Sequence, residues 1–332
     1  MEISRRNLQK GKGAPQLVER WEQKQHQFFF YCEALILEVS IYAPNILRFR
    51  FAPEGRFEDD FSYAIAHDGP FPPPEIPFSC REIGDEFEIN TPELRVIISR
   101  TLHISVFDSE GSLINEDERG FHWEPSQEFG GNKVYCSKRI QPEENFYGLG
   151  DKSNRLNMKG LRFENWGSDT YGFEKNSDPL YKNIPFYLGM AQEKGYGIFF
   201  DNSFCTIFDF GFERRDVCSF WAPGGEMNYY FIYGPSMLRV VEGYAMLTGK
   251  PEMPPLWALG YHQSKWSYAP EQKVQDLARQ MREHAMPCDA IHLDIEYMDG
   301  FRIFTWDREK FPHPRKMTAE LEADVFRTVL II

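Results

Sequence analysis

The residues best placed to do chemistry stand together near the end of the chain, in His292-Leu293-Asp294-Ile295-Glu296-Tyr297-Met298-Asp299. Ala290-Ile291 precedes them and Phe304-Thr305-Trp306-Asp307 follows. An apolar run that gives way suddenly to carboxylates and aromatics is how a buried parallel strand looks where its C-terminal end opens into a site. Asp294 and Glu296 are two apart, so at strand spacing their side chains share a face, with Cα atoms roughly 6.6 Å apart. Such a pair could serve acid–base hydrolysis. The plainer alternative is a strand that ends in a solvated acidic loop.

Composition bounds what surrounds this stretch. At 332 residues the chain exceeds one ordinary domain, and two is the natural expectation. With 42% hydrophobic and 26% charged residues, a sizeable core can be buried. A net charge of −13 argues against nucleic acid as a partner, because nothing would offset phosphate repulsion. There is no run of 18 apolar residues and hence no membrane span, and the N-terminus lacks the apolar segment of a secretory signal. The cysteines at 32, 80, 136, 205, 218 and 288 are scattered, without a CxxC pair or a histidine at ligand spacing. That is the pattern of reduced thiols in a cytoplasmic protein rather than of disulfides or a zinc site. No residue suggests a metal or an organic cofactor.

The elements that must position the acidic stretch fall into two regions. As far as about residue 235 the sequence reads as β. Short aromatic and branched runs recur at Gln27–Tyr31, Ala34–Val39, Ile46–Phe51, Phe87–Asn90, Leu94–Ile98, Ile104–Phe107, Gly197–Phe200 and Tyr229–Ile232. In Ile46-Leu47-Arg48-Phe49-Arg50-Phe51 apolar and basic residues alternate, which predicts a half-buried strand. Many strands with short turns and no helices predict a large sandwich. The glycines of Phe146-Tyr147-Gly148-Leu149-Gly150-Asp151 are not followed by a helical pattern, so no helix N-terminus is available to hold an anion and a dinucleotide site is not expected. Residues 165–182 read as a long polar-aromatic loop, a length that is usually functional.

The character changes near Met237. Leu238–Leu247 reads as a helix with Val241, Tyr244, Ala245 and Leu247 on one face, stopped by Gly249 and Pro251. Leu256–Gln263 reads as an apolar strand, and Pro270 as the first residue of a helix with Val274, Leu277, Ala278 and Met281 on its apolar face. The strand before Asp294 comes next, then a helix over about Lys316–Ala323 and a third strand over Thr328–Ile332. Strand, helix, strand, helix, strand opens a βα-barrel or a doubly wound sheet. A (β/α)₈ barrel takes roughly 250 residues, so the stretch after Pro251 is expected to be only its beginning, and the chain a fragment. The expected domains are a β-sandwich over 1–236, a connecting helix and linker over 237–254, and a truncated barrel over 255–332.

These residues carry a resemblance. The chain from about Gln27 onward resembles the N-terminal part of a family 31 glycoside hydrolase, of the α-glucosidase and α-xylosidase group. The matching stretches are Phe146–Asp151, Asn165-Trp166-Gly167-Ser168-Asp169, Asp178–Phe186, Gly260–Tyr268, Leu293–Asp299 and Phe304–Asp307. The resemblance implies a galactose-mutarotase-like β-sandwich with a (β/α)₈ catalytic barrel, acting on an oligosaccharide or α-glycoside. It implies that Asp294 hydrogen-bonds the sugar's 4-hydroxyl, that Ile295 is apolar pocket wall and Trp306 an aromatic platform, and that Asp169 lies on a loop able to touch the next sugar. Glu296 receives no role.

Retaining hydrolysis needs two carboxylates about 5–5.5 Å apart. In this family both come from later barrel strands, the nucleophile within a Trp-x-Asp-Met-x-Glu-type motif that does not occur here. Both are expected beyond Ile332, and the chain alone is expected to be inactive. Two alternatives stand beside this reading. One is a chitinase-like hydrolase using Asp294 and Glu296, although the upstream alternating aspartates of that motif are missing. The other is a non-catalytic carbohydrate-binding module.

Overall fold

A computed structural model of the chain describes residues 13–66 and 77–332. It divides into two compact units, with the boundary between Lys250 and Pro251. Among the described residues no helix is long and apolar enough to cross a membrane.

The first unit is built of antiparallel strands. They are β1 (Arg20–Lys24), β2 (Gln27–Cys32), β3 (Leu35–Ala43), β4 (Ile46–Ala52), β5 (Ser79–Ile83), β6 (Glu86–Asn90), β7 (Leu94–Ser99), β8 (Ile104–Asp108) and β9 (Leu113–Pro125). There follow β10 (Asn132–Arg139), β11 (Asn145–Gly150), β12 (Arg162–Asn165), β13 (Asn183–Ala191), β14 (Lys194–Phe200), β15 (Thr206–Phe210), β16 (Val217–Ala222) and β17 (Met227–Gly234). One sheet runs β1-β2-β3-β4-β17-β14-β13-β11 and the other β12-β15-β16-β10-β9-β8-β7-β6-β5. The strands alternate as a pleat requires: Phe28, Phe30 and Cys32 of β2 point inward, as do Leu94, Val96 and Ile98 of β7. The two inner faces meet through aromatic rings. Phe30 lies 5.0 Å from Phe87, Phe51 4.3 Å from Phe121 and Phe146 4.8 Å from Phe210. Much of the chain's aromatic content, 16% of its residues, is therefore packed in cores.

Strand β4 departs from expectation. Every residue in it is buried, Arg48 and Arg50 included. The loop after β4 covers the outer face and supplies counter-charges. Arg48 donates to both oxygens of Asp60 at 2.7 and 2.9 Å and to Asn228 Oδ1 at 2.8 Å. Arg50 pairs with Glu226 and donates to the Glu58 carbonyl at 2.7 Å. Alternating basic residues mark a solvated face only when nothing with matching carboxylates packs over them.

The glycines of β11 serve packing. A Cβ on Gly148, whose φ is +121°, would meet the Phe186 carbonyl oxygen at 2.6 Å, so only glycine lets β13 approach. Helix α1 (Met237–Thr248), expected as a connector, packs on the outer face of the first sheet. Ser236 caps it by accepting from the Arg239 N–H, and Gly249 ends it. Its buried stripe is Val240, Gly243 and Leu247, with Tyr244 stacked on Phe186 at 4.1 Å, while Val241 faces outward. The stripe is rotated from the expected one because Gly243 sits at the closest approach: a Cβ there would meet Ile232 at 2.6 Å.

The second unit has a parallel sheet in the order β18 (His262–Gln263), β19 (Ala290–Leu293), β20 (Arg327–Leu330). Helices α2 (Glu271–Glu283) and α3 (Pro314–Ala323) connect successive strands. Val274 and Ala278 of α2, Met317 and Leu321 of α3, and Ile291 and Leu293 of β19 form one core with Phe311 and Phe326. Two boundaries differ from the sequence reading. Leu256–Leu259 is a 3₁₀ turn with its leucines exposed, so β18 is only the last two residues of the expected strand. Pro270 caps α2 from one residue outside it.

One buried carboxylate gives the sandwich a pH signature. Glu144 is 1% exposed, and its oxygens accept from the Tyr196 hydroxyl at 2.6 Å and the Gln141 N–H at 2.7 Å. Burial raises its pKa above the usual 4.5, outweighing those bonds. The fold therefore favours the protonated acid. Its contribution is full below 4.5 and is lost as pH rises through the higher folded value. Urea unfolding of wild type and Glu144→Gln at several pH values between about 4 and 7 should show the variant gaining relative stability as pH rises. A difference that does not change with pH would contradict this assignment.

Candidate functional site

The site begins where β19 stops. Ala290, Ile291 and Leu293 are buried, held by helices and neighbouring strands, and Asp294 is the first residue beyond the sheet. One carboxylate oxygen of Asp294 accepts the Ile295 N–H at 2.8 Å and so caps a 3₁₀ turn, Ile295–Tyr297. Its other oxygen has no protein donor among the described residues. Half-buried Asp294 lines a cavity of about 240 Å³ with Ser264, Lys265, His292 and Leu330. This is the C-terminal end of the parallel strands, where loops and strand ends of such sheets assemble sites.

Two histidines brace the floor. His262 Nε2 lies 3.2 Å from the Trp257 carbonyl, which can only accept, so that nitrogen carries the proton. Its Nδ1 then accepts from His292 Nε2 at 3.2 Å, joining β18 to β19 through side chains.

The structure distributes the expected site residues unevenly. Asp294 and Ile295 adjoin, but Ile295 is half-buried against the core of the second unit. Trp306 also packs there, with its ring 5.0 Å from Tyr297 and 5.7 Å from Phe311. Trp266, also in the second unit, is instead 72% exposed, and its N–H donates to Glu296 Oε1. The sequence placed Trp266 only within a motif; the cue was its position just after Ser264 and Lys265 at the end of β18.

Asp294 and Glu296 do not share a face as an extended strand would require. Glu296 lies inside a 3₁₀ turn of which Asp294 is the cap, and that turn rotates successive side chains by roughly 120°. Glu296 is moreover committed to Trp266.

Asp169 belongs to the first unit and is exposed on the loop 166–182. The loop's base is tied down. Lys152 Nζ, with its side chain only 3% exposed, donates to the Glu164 carbonyl and Asp178 Oδ1 at 2.7 Å each and to Asn183 Oδ1 at 3.2 Å. Burial lowers the Lys152 pKa despite these partners. Ser168 N–H donates to the Leu180 carbonyl at 3.1 Å, closing the loop. Trp166, Tyr171, Phe173 and Tyr181 are exposed along it.

The sequence was then compared with known proteins. Residues 36–209 match the family model of the glycosyl hydrolase 31 N-terminal galactose mutarotase-like domain, and residues 251–332 that of the glycosyl hydrolase family 31 TIM-barrel domain. The chain belongs to glycoside hydrolase family 31. Its first unit is thus a mutarotase-like sandwich, and its second is the start of the family's TIM barrel. It is 34% identical over 318 residues to alpha-glucosidase 2 of Bacillus thermoamyloliquefaciens, covering 95% of this chain and 39% of that protein. To an alpha-glucosidase of Saccharolobus solfataricus it is 36% identical over 202 residues, 61% of this chain and 29% of that one. A family 31 dextranase of Flavobacterium johnsoniae, solved with glucose, superposes with a TM-score of 0.87 at 31% identity, over 96% of this chain and 38% of the dextranase. The chain therefore spans about two fifths or less of the length of these relatives.

The Lys152 anchor is testable without substrate. Lys152→Met removes the cation that joins Glu164, Asp178 and Asn183, leaves Asp178 with the Glu164 N–H at 2.6 Å, and should cost about 1–3 kcal/mol of stability. Hydrogen exchange at Ser168 should accelerate while amides of α1 keep their protection. Unchanged exchange at Ser168 would show that the loop is held by something else.

Proposed function

We propose that this chain carries the sugar-recognition part of a retaining α-glycosidase that releases terminal α-linked glucose or xylose from oligosaccharides. The observation that carries the reading is Asp294: a carboxylate at the end of the middle parallel strand, with one oxygen fixed by its own turn and the other without a donor among the described residues. A carboxylate so held accepts a hydrogen bond from a sugar hydroxyl and disfavours analogues that lack it. Glucose and xylose both present a 4-hydroxyl, so Asp294 serves either. The α-glucosidase names of the relatives and the glucose in the dextranase structure support this substrate class.

Hydrolysis itself needs a nucleophile and an acid/base, and we assign neither to these residues. Glu296 holds Trp266 and is no partner for Asp294 in acid–base work. The nucleophile motif of the family is absent from the sequence. We place both catalytic carboxylates on parts of the barrel that these 332 residues do not include. A second reading, glycan binding without cleavage, draws support from the exposed aromatics of the 166–182 loop.

Hydrolysis of p-nitrophenyl α-glucoside and α-xyloside by the 332-residue chain, and by a longer form that completes the barrel, separates these readings. The longer form should turn over and the chain alone should not. In the longer form Asp294→Ala should lower kcat/KM by at least about a hundredfold. Turnover by the chain alone would overturn the placement of the catalytic carboxylates. Absence of turnover in the longer form, with glycan still bound, would favour the binding module.

A further inference from the structure

We propose that His262 and His292 form a hydrogen-bond relay of fixed direction, which leaves His292 Nδ1 as a second acceptor in the Asp294 cavity, for a hydroxyl next to the one that Asp294 takes. The inference deepens the sugar-binding reading above and rests on it.

It starts from the two faces of the parallel sheet. Ile291 and Leu293 of β19 pack with Val274 and Ala278 of α2 and Met317 and Leu321 of α3. The alternate residues face the other way, where the register sets His262 beside Ala290 and His292 beside Val329. Strands of a covered parallel sheet ordinarily read as continuous apolar runs. Two half-buried imidazoles on neighbouring strands break that rule, and neither belongs to the apolar core of the unit.

The direction of the relay follows from its first member. The Trp257 carbonyl can only accept, so His262 carries its proton on Nε2, with the Trp257 ring stacked on its imidazole at 5.8 Å. Neutral His262 must then accept at Nδ1, and His292 must donate from Nε2. A neutral imidazole has one N–H, so His292 Nδ1 keeps a lone pair. That nitrogen has no hydrogen bond among the described residues and is not sealed inside the protein, and the side chain lines the Asp294 cavity. Joining two strands would be served by either direction of the bond. Only this direction turns an acceptor toward the cavity.

Asp294 keeps an extended backbone, with φ −79° and ψ 179°. It and His292 therefore stand one pleat repeat apart, with Cα atoms roughly 6.6 Å from each other, and both line the same cavity. Two acceptors so spaced suit neighbouring O–H donors on one rigid ring, which is what a pyranose offers.

The test uses nitrogen-15 spectra of the histidine side chains in the 332-residue chain at about pH 8.5, well above the ordinary histidine pKa of about 6.5. The two rings are assigned by loss of their signals in His262→Gln and His292→Phe. In wild type both should carry the proton on Nε2, by at least about tenfold over the other tautomer. His262→Gln still offers a donor to Trp257 and an acceptor to His292, so the His292 tautomer should persist. His262→Leu offers neither, and the proton should move to Nδ1, where solvent can take it up in a hydrogen bond. On addition of methyl α-D-glucopyranoside the wild-type His292 Nδ1 signal should shift saturably, along the same curve as the Ile295 amide. His292→Phe should need roughly tenfold more sugar for half the Ile295 shift. A wild-type His292 protonated on Nδ1 would overturn the relay, and so would a tautomer unchanged in His262→Leu. A His292 Nδ1 signal that stays still while sugar moves the Ile295 amide would overturn its role toward sugar and leave the reading of Asp294 standing. Sugar that moves neither signal would overturn both.

Discussion

The constraint on which the second unit depends is that β19 is covered on both sides. Ala290, Ile291 and Leu293 have no water to turn to, so this stretch can hold nothing that needs solvation. Polar chemistry must wait for the residue at which the backbone leaves the sheet. That residue is Asp294, and its carboxylate turns the chain by accepting the next N–H. The same residue that ends the strand lines the cavity beyond the strand ends. His292, one residue before Leu293, is tolerated because it is half-buried and hydrogen-bonds His262 of the neighbouring strand.

The sandwich solves a different problem. Its inner faces are apolar and aromatic, but charges are also buried within it. Lys138 and Asp117, 2% and 1% exposed at their side chains, pair at 2.6 Å, and Lys138 also donates to the Tyr229 hydroxyl at 3.1 Å. Arg48 and Arg50 are neutralised by Asp60 and Glu226 on covering segments. Each such group would be costly alone and is tolerable only with its partner in place. Lys138 and Asp117 link two neighbouring strands, the arginine pairs tie covering segments to the first sheet, and the Lys152 cluster does the same for the loop that carries Asp169.

How far the sequence was legible follows from the same physics. The run Ala290–Leu293 and the stripe of Val274, Ala278 and their neighbours were readable because burial there is decided by local period alone. Arg48 and Arg50 were misread because their burial depends on Asp60 and Glu226, one of them far away in sequence. The face of α1 was read one residue out of phase because Gly243 contributes no hydrophobicity and still makes the closest contact. Leu256–Leu259 looked like a strand because apolar composition does not say which way a chain turns. The placement of Asp294 just beyond a buried strand was legible from the apolar run before it. The bond from Trp266 to Glu296 was not, since nothing in the spacing of two residues thirty apart announces it.

The central claim is that the free oxygen of Asp294 reads a sugar's 4-hydroxyl. The most direct measurement compares the affinity of the chain for methyl α-D-glucopyranoside and for its 4-deoxy analogue, in wild type and in Asp294→Ala. The account predicts that wild type loses roughly ten- to a hundredfold with the 4-deoxy sugar and that Asp294→Ala no longer distinguishes the two. Equal affinities in wild type, or discrimination that survives Asp294→Ala, would contradict it.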